Sequence, residues 1–112
     1  MQPLSKHLRK LVRQAADEAY RRELDRELES LHTAFEQWRR GELSGFDLSE
    51  RIHQFHQGPN RELYLRYVEG DPQLALAGAI HSGVMRLDEL HPDLIPTMGS
   101  LVETIRSFAR GD

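Results

Sequence analysis

The chain has no cysteine. That excludes disulfides, thiolate metal sites and a cysteine nucleophile, and it fits a reducing cytoplasm, the expected location. Long apolar runs are also missing. The longest low-charge stretch, Leu74 to Met85, falls short of the roughly 20 residues a spanning helix needs, so no transmembrane segment is expected. Lys6, Arg9, Lys10 and Arg13 interrupt the start of the chain, which therefore does not read as a secretory signal. Aromatics are few, with one Trp, three Tyr and four Phe. Glycine-rich phosphate loops, Gly-x-Ser-x-Gly elbows and His-Glu-x-x-His motifs are absent, as is any credible strand pattern.

What remains is helical. No Gly or Pro occurs between Leu4 and Arg40, and strong helix formers dominate that stretch. Leu24, Leu28, Leu31, Phe35 and Trp38 recur at intervals of three and four, and Arg39-Arg40-Gly41 gives the cation-then-glycine pattern of a helix end. One helix of about 35 residues, roughly 50 Å long, is expected. Ser44 or Asp47 caps a second helix running to about Gln57. Gly58 ends it, and Pro59 opens a third that runs to Glu69. Asp71-Pro72 starts a small-residue helix, expected to be central, that closes at Gly83. Short turns broken by Pro92 lead to a last helix from about Pro96 to Arg110. The reading is a single all-α domain over residues 1–112, with no β-sheet: a long N-terminal helix covered by four or five shorter ones. The expected core is Leu28, Leu31, Phe35, Trp38, Leu48, Ile52, Phe55, Leu63, Tyr67, Leu76, Ile80, Leu101, Ile105 and Phe108.

Two asymmetries bear on partners. Residues 1–22 carry six Lys/Arg against two acids, whereas the rest carry nine against sixteen. The basic arm either seeks a polyanion or docks on the acidic body, and the second needs no extra partner. At about 100° per residue, Leu4, Leu8, Leu11, Ala15 and Ala19 also lie nearly opposite the Leu24–Trp38 stripe. With no breaker between the halves, residues 1–20 are expected to form a basic amphipathic arm packing on a second subunit of a homodimer.

Six histidines raise the question of a metal. Glu29-x-x-His32 and Glu50-x-x-His53, with His56 one further step along, have the i,i+3 spacing of helical carboxylate–histidine metal ligands. The pattern lacks two further inward glutamates, and solvated helix faces explain it better. A metal-dependent helical enzyme is therefore the alternative, and no cofactor is expected. His56, Gly58, Asn60 and Arg61 form the best ligand-binding candidate, since a helix start there would offer free amides to an anion. The helix–turn–helix outline from Asp47 to Glu69 lacks the basic footprint that phosphate contacts require. Only Lys6, Arg9, Lys10 and Arg13 supply one, so a nucleic-acid-associated regulator is a further alternative. Nothing assembles an acid, a base and a positioned nucleophile, which leaves a small non-catalytic interaction or regulatory protein, acting through an unidentified protein partner, as the leading reading.

Overall fold

The computed structural model describes residues 3–111. It is 83% helical, and no strand occurs among the described residues. Helix α1 (Lys6–Arg39) is capped by the Ser5 hydroxyl, which accepts from the Leu8 amide at 3.1 Å. It ends before Gly41, whose φ of 77° admits a tight reversal. Helix α2 (Gly45–Phe55) starts on the Ser44 hydroxyl, which accepts from Asp47 N–H at 3.0 Å. Of the two caps suggested by the sequence, Ser44 is the one used.

The expected break at Gly58-Pro59 does not occur. Residues His56–Asn60 form a wide π-type turn that runs into α3 (Arg61–Tyr64) and then a second wide turn, Leu65–Glu69. Pro59 has no N–H to give and its ring crowds the carbonyl one turn back. A local widening of the helix accommodates both constraints without changing course. The chain leaves this helical stretch at Gly70, where a Cβ would sit 2.6 Å from the Arg66 carbonyl oxygen. Helix α4 (Pro72–His81) begins on the Asp71 cap. Two short 3₁₀ turns, Leu87–Glu89 and Pro92–Leu94, lead into α5 (Ile95–Arg110).

The core lies where the N-terminal half of α1, α4 and α5 meet. Leu76, Leu94 and Met98 are its largest fully enclosed side chains, and Ala19 and Ala77 are sealed beside them. Leu4, Leu8, Leu11 and Ala15 pack against this cluster. The N-terminal stripe therefore has its cover inside the chain, and the neighbour that the sequence seemed to lack is supplied intramolecularly.

The core differs from expectation in an instructive way. Leu48, Leu63, Tyr67 and Leu76 are buried as expected, and Leu31, Phe55, Ile80, Leu101 and Ile105 partly so. Leu28, Phe35, Trp38 and Ile52 are between 37% and 46% exposed, and Phe108 is 79% exposed. The line of α1 that does make contact runs through Val12, Ala16, Ala19, Glu23 and Ala34, spaced by multiples of about one turn. Small residues sit at the centre because they let backbones approach closely, while the leucines beside them ride at the edge. Leu24 to Trp38 is thus a flank of the intramolecular contact.

Two polar clusters fix α1 to the remainder. Arg22 reaches across to Glu89 at 2.7 Å and to the Val84 carbonyl at 3.1 Å. The Arg22 guanidinium and the Arg86 amide hold the Glu89 carboxyl at a pKa of about 2, and Arg21 with Arg22 does the same for Glu18. Both carboxylates are depressed from 4.5, so the stability they contribute is present above pH 4.5 and lost as pH falls towards 2. Thermal midpoints measured from pH 7 to pH 2 should fall mainly across that window, and Arg22→Gln should flatten the fall. A profile unchanged by Arg22→Gln would remove this pair from the acid response.

The second cluster is inside. The Tyr67 hydroxyl donates to the Glu23 carboxylate, which Arg66 also approaches at 3.4 Å. The Tyr67 ring stacks on Tyr20 with 5.1 Å between centroids. Burial, then the Glu23 carboxylate, pushes the Tyr67 hydroxyl above the usual phenol range. Tyr67→Phe keeps the stack but leaves Glu23 short of a donor. Urea unfolding should show a loss of about 1–2 kcal/mol; no loss would mean that water satisfies Glu23.

Candidate interaction surface

The principal-axis extents are 53 × 32 × 24 Å and the radius of gyration is 17.4 Å. A compact chain of this length would have a radius near 13 Å. The excess comes from α1, which is as long as the molecule, and whose C-terminal half leaves the core with α2 and the turn at Pro59 beside it. Within this hairpin Ala34 and Leu48 are the buried residues. A gap of about 150 Å³ between the two helices is lined by Leu31, Ala34 and Phe55 among others. Two helices alone bury too little to cover their apolar residues, so part of the stripe stays in water.

That stripe has strict spacing. Leu24, Leu28, Leu31, Phe35 and Trp38 follow one another by four, three, four and three residues, the a/d repeat of a helix that packs on another helix. Leu28 is 42%, Phe35 37% and Trp38 46% exposed. Ala34 and Glu27 mark the edge towards α2. The opposite edge carries Asp25, His32 and Arg39, seven residues apart and all exposed. An acidic group therefore stands at one end of the open edge and a basic group at the other, with His32 midway. Asp25 pairs with Arg21 at 3.0 Å on the surface; such an exposed pair contributes little and exchanges readily. Leu24 to Trp38 spans about 20 Å of helix.

The candidates drawn from the sequence fall elsewhere. Glu29, His32, Glu50, His53 and His56 all lie on exposed faces. His32 approaches Glu36 at 3.6 Å, and Glu50 accepts from Gln54 at 3.4 Å. Among the described residues no group of three or more His, Asp and Glu side chains is placed to hold a metal ion. The two Glu-x-x-His pairs face solvent because Ala34 and Leu48, not the glutamates, occupy the α1–α2 contact.

His56, Asn60 and Arg61 are brought together, lining an open cleft with Tyr20 and Tyr64. Gly58 does not line that cleft. Nor is there a helix start to supply free amides: Asn60 is itself helical and makes no side-chain cap, and Arg61 N–H already donates to the Gly58 carbonyl. Continuity of the helix through Pro59 removes the anion site expected there.

Lys6, Arg9, Lys10 and Arg13 are exposed. None of these four forms an ion pair among the described residues; the basic segment meets the acidic part of the chain through Arg22, which pairs with Glu89 at 2.7 Å. It is held by its leucines, and by His7, whose ring meets Asp93 at 2.9 Å. Among the described residues no helix is long and apolar enough to cross a membrane. What sequence reasoning missed is the openness of the Leu28–Trp38 face, although its strict heptad spacing and the Asp25–His32–Arg39 edge were legible signals. No family model, curated protein or solved structure matches the chain.

Proposed function

We propose that the chain is a non-catalytic interaction protein that works as a homodimer, joined through the face of α1 that α2 leaves open. The observation that carries this reading is the heptad stripe with Leu28, Phe35 and Trp38 each more than a third exposed. Apolar side chains arrayed on one helical face over about 20 Å mark a surface for another helix rather than scattered surface residues. The occupant is a second copy of the same chain. A two-fold axis passing beside His32 runs two α1 helices antiparallel, and it sets Asp25 of each against Arg39 of the other. The edge is complementary to itself in that antiparallel register; a parallel two-fold pairing would instead turn it towards the Glu27 and Ala34 edge of the other copy, where α2 already packs. With α2 beside each α1, the result is a four-helix arrangement at the end of the molecule distant from the core.

Charge reversal tests the register. Sedimentation equilibrium should show a dimer for the native chain. Asp25→Arg should weaken it about tenfold, since two like-charge contacts replace two pairs. Asp25→Arg combined with Arg39→Asp should restore the native affinity. A native chain that stays monomeric at high concentration would refute the reading. A double variant no tighter than the single one would refute the antiparallel register.

A further inference from the structure

Among the described residues Gln73 is a buried polar side chain, at 9% exposed. Its backbone amide is used by the Asp71 cap, at 2.9 Å, but its side-chain amide makes no hydrogen bond among the described residues. No side-chain nitrogen or oxygen among the described residues is both fully enclosed and unpaired, so this amide reaches open space. It lines two clefts at once, both at the end of the molecule where α1 begins.

The first cleft, about 290 Å³, lies between the start of α1 and the start of α4. Arg9 and Arg13 stand on one wall, with Leu4, Val12 and Pro72 forming apolar surface. Neither arginine has an ion-pair partner among the described residues. Asp71 also lines this cleft, with one carboxylate oxygen engaged as the helix cap. The second cleft, about 600 Å³, runs between α1 and α5 and shares Pro3, Leu4 and Gln73 with the first. Its walls are leucines and hydroxyls, including Leu8, Leu101 and Thr104, with no charged side chain. The volumes are those of small-molecule pockets, and an apolar lining with a few convergent polar groups is their usual composition.

From this arrangement we infer a binding site for an amphiphilic carboxylate. The carboxylate lies in the first cleft against Arg9 and Arg13, and the Gln73 amide donates to it at the junction. The alkyl or aryl body extends into the uncharged second cleft along Leu8 and Leu101. Arginine suits this role because its planar fork pairs with a carboxylate through two bonds. The Gln73 amide has no protein partner among the described residues and opens onto both clefts, so its bonding capacity is available to a ligand. Loading such a ligand gives that capacity a use and covers the apolar walls. The site is at the opposite end of α1 from the dimer face, and the two proposals stand independently.

The test uses decanoate, kept below its micellar concentration, with decanol as the uncharged comparison. Amide shifts of the full chain are followed by NMR for the native protein, for Gln73→Leu and for the Arg9→Ala/Arg13→Ala pair. Saturable one-site shifts at Leu8, Gln73 and Leu101 are expected. Decanoate should weaken about tenfold in each variant, while decanol loses affinity only in Gln73→Leu. Should Gln73→Leu fail to fold, the arginine pair decides, because those side chains are exposed. No saturable shift, or decanoate affinity unchanged by loss of both arginines, overturns the site. The oligomeric state, measured on the same samples, separates this outcome from any failure of the dimer.

Discussion

Phe35→Glu should yield a monomer with native helix content. Phe35 sits in the centre of the open α1 face and is 37% exposed in the single chain, so a charge there costs the isolated subunit little. In a dimer joined through this face the same carboxylate would be enclosed against apolar side chains of the second copy, unpaired, twice per complex. Burying an unpaired charge is costly, and dimer affinity should fall at least about a hundredfold, or close to 3 kcal/mol. Sedimentation equilibrium reads the mass and circular dichroism the helix content. Phe46→Glu is the matched comparison. Phe46 is 90% exposed and lies on the side of α2 away from Leu48, so its variant should dimerise as the native chain does. Equal loss in both variants would point to general surface hydrophobicity instead of the heptad face.

Leu76→Ala should be the most damaging single truncation for folding. Leu76 is fully enclosed in the middle of α4, between α1 and α5. Its neighbours in sequence, Ala75 and Ala77, have nothing to extend into the space a truncation leaves. A cavity in so constrained a place costs about 2–5 kcal/mol, a large part of the roughly 5–15 kcal/mol that holds a small domain together. Urea unfolding should show a lower midpoint at a similar slope, with the free energy of unfolding reduced by that amount. Leu28→Ala, on the half-exposed face, should cost far less when both are measured at concentrations where the native chain is monomeric. If Leu28→Ala proved as damaging as Leu76→Ala, the centre of the fold would be misplaced.

Much of the fold was readable because its punctuation is chemical. Ser44 and Asp71 cap helices, Pro72 starts one, and Gly41, Gly83 and Gly111 take the positive φ that ends them. The role of α4 as the centre followed from small or apolar residues on all its sides. Gly58-Pro59 misled because local propensity writes the same two residues for a break and for a helix that widens; only packing on α1 decides between them. The core of α1 misled for a related reason. Large apolar residues at heptad spacing announce a contact without saying which molecule makes it, and the alanines that carry the intramolecular contact give a weaker signal than the leucines beside them. Opposite apolar phases on one helix predict two unrelated neighbours, and so a second subunit for the N-terminal stripe. In the fold, α4 and α5 take the N-terminal half and α2 the C-terminal half, so a single chain meets most of that demand. Gln73 could not be singled out, since its burial depends on the approach of α1 and α5, both remote in sequence.

The most direct test of the dimer uses the absence of cysteine. Spin labels are attached at single sites made by Asp25→Cys, His32→Cys and Arg39→Cys, and inter-label distances are measured by pulsed electron resonance. An antiparallel pair centred beside His32 gives the shortest distance there. The Asp25 and Arg39 sites each gain an axial separation of about 20 Å, from fourteen residues of helix. Three equal distances would mean a parallel pair, and no dipolar signal from any site would mean that this face joins no second copy.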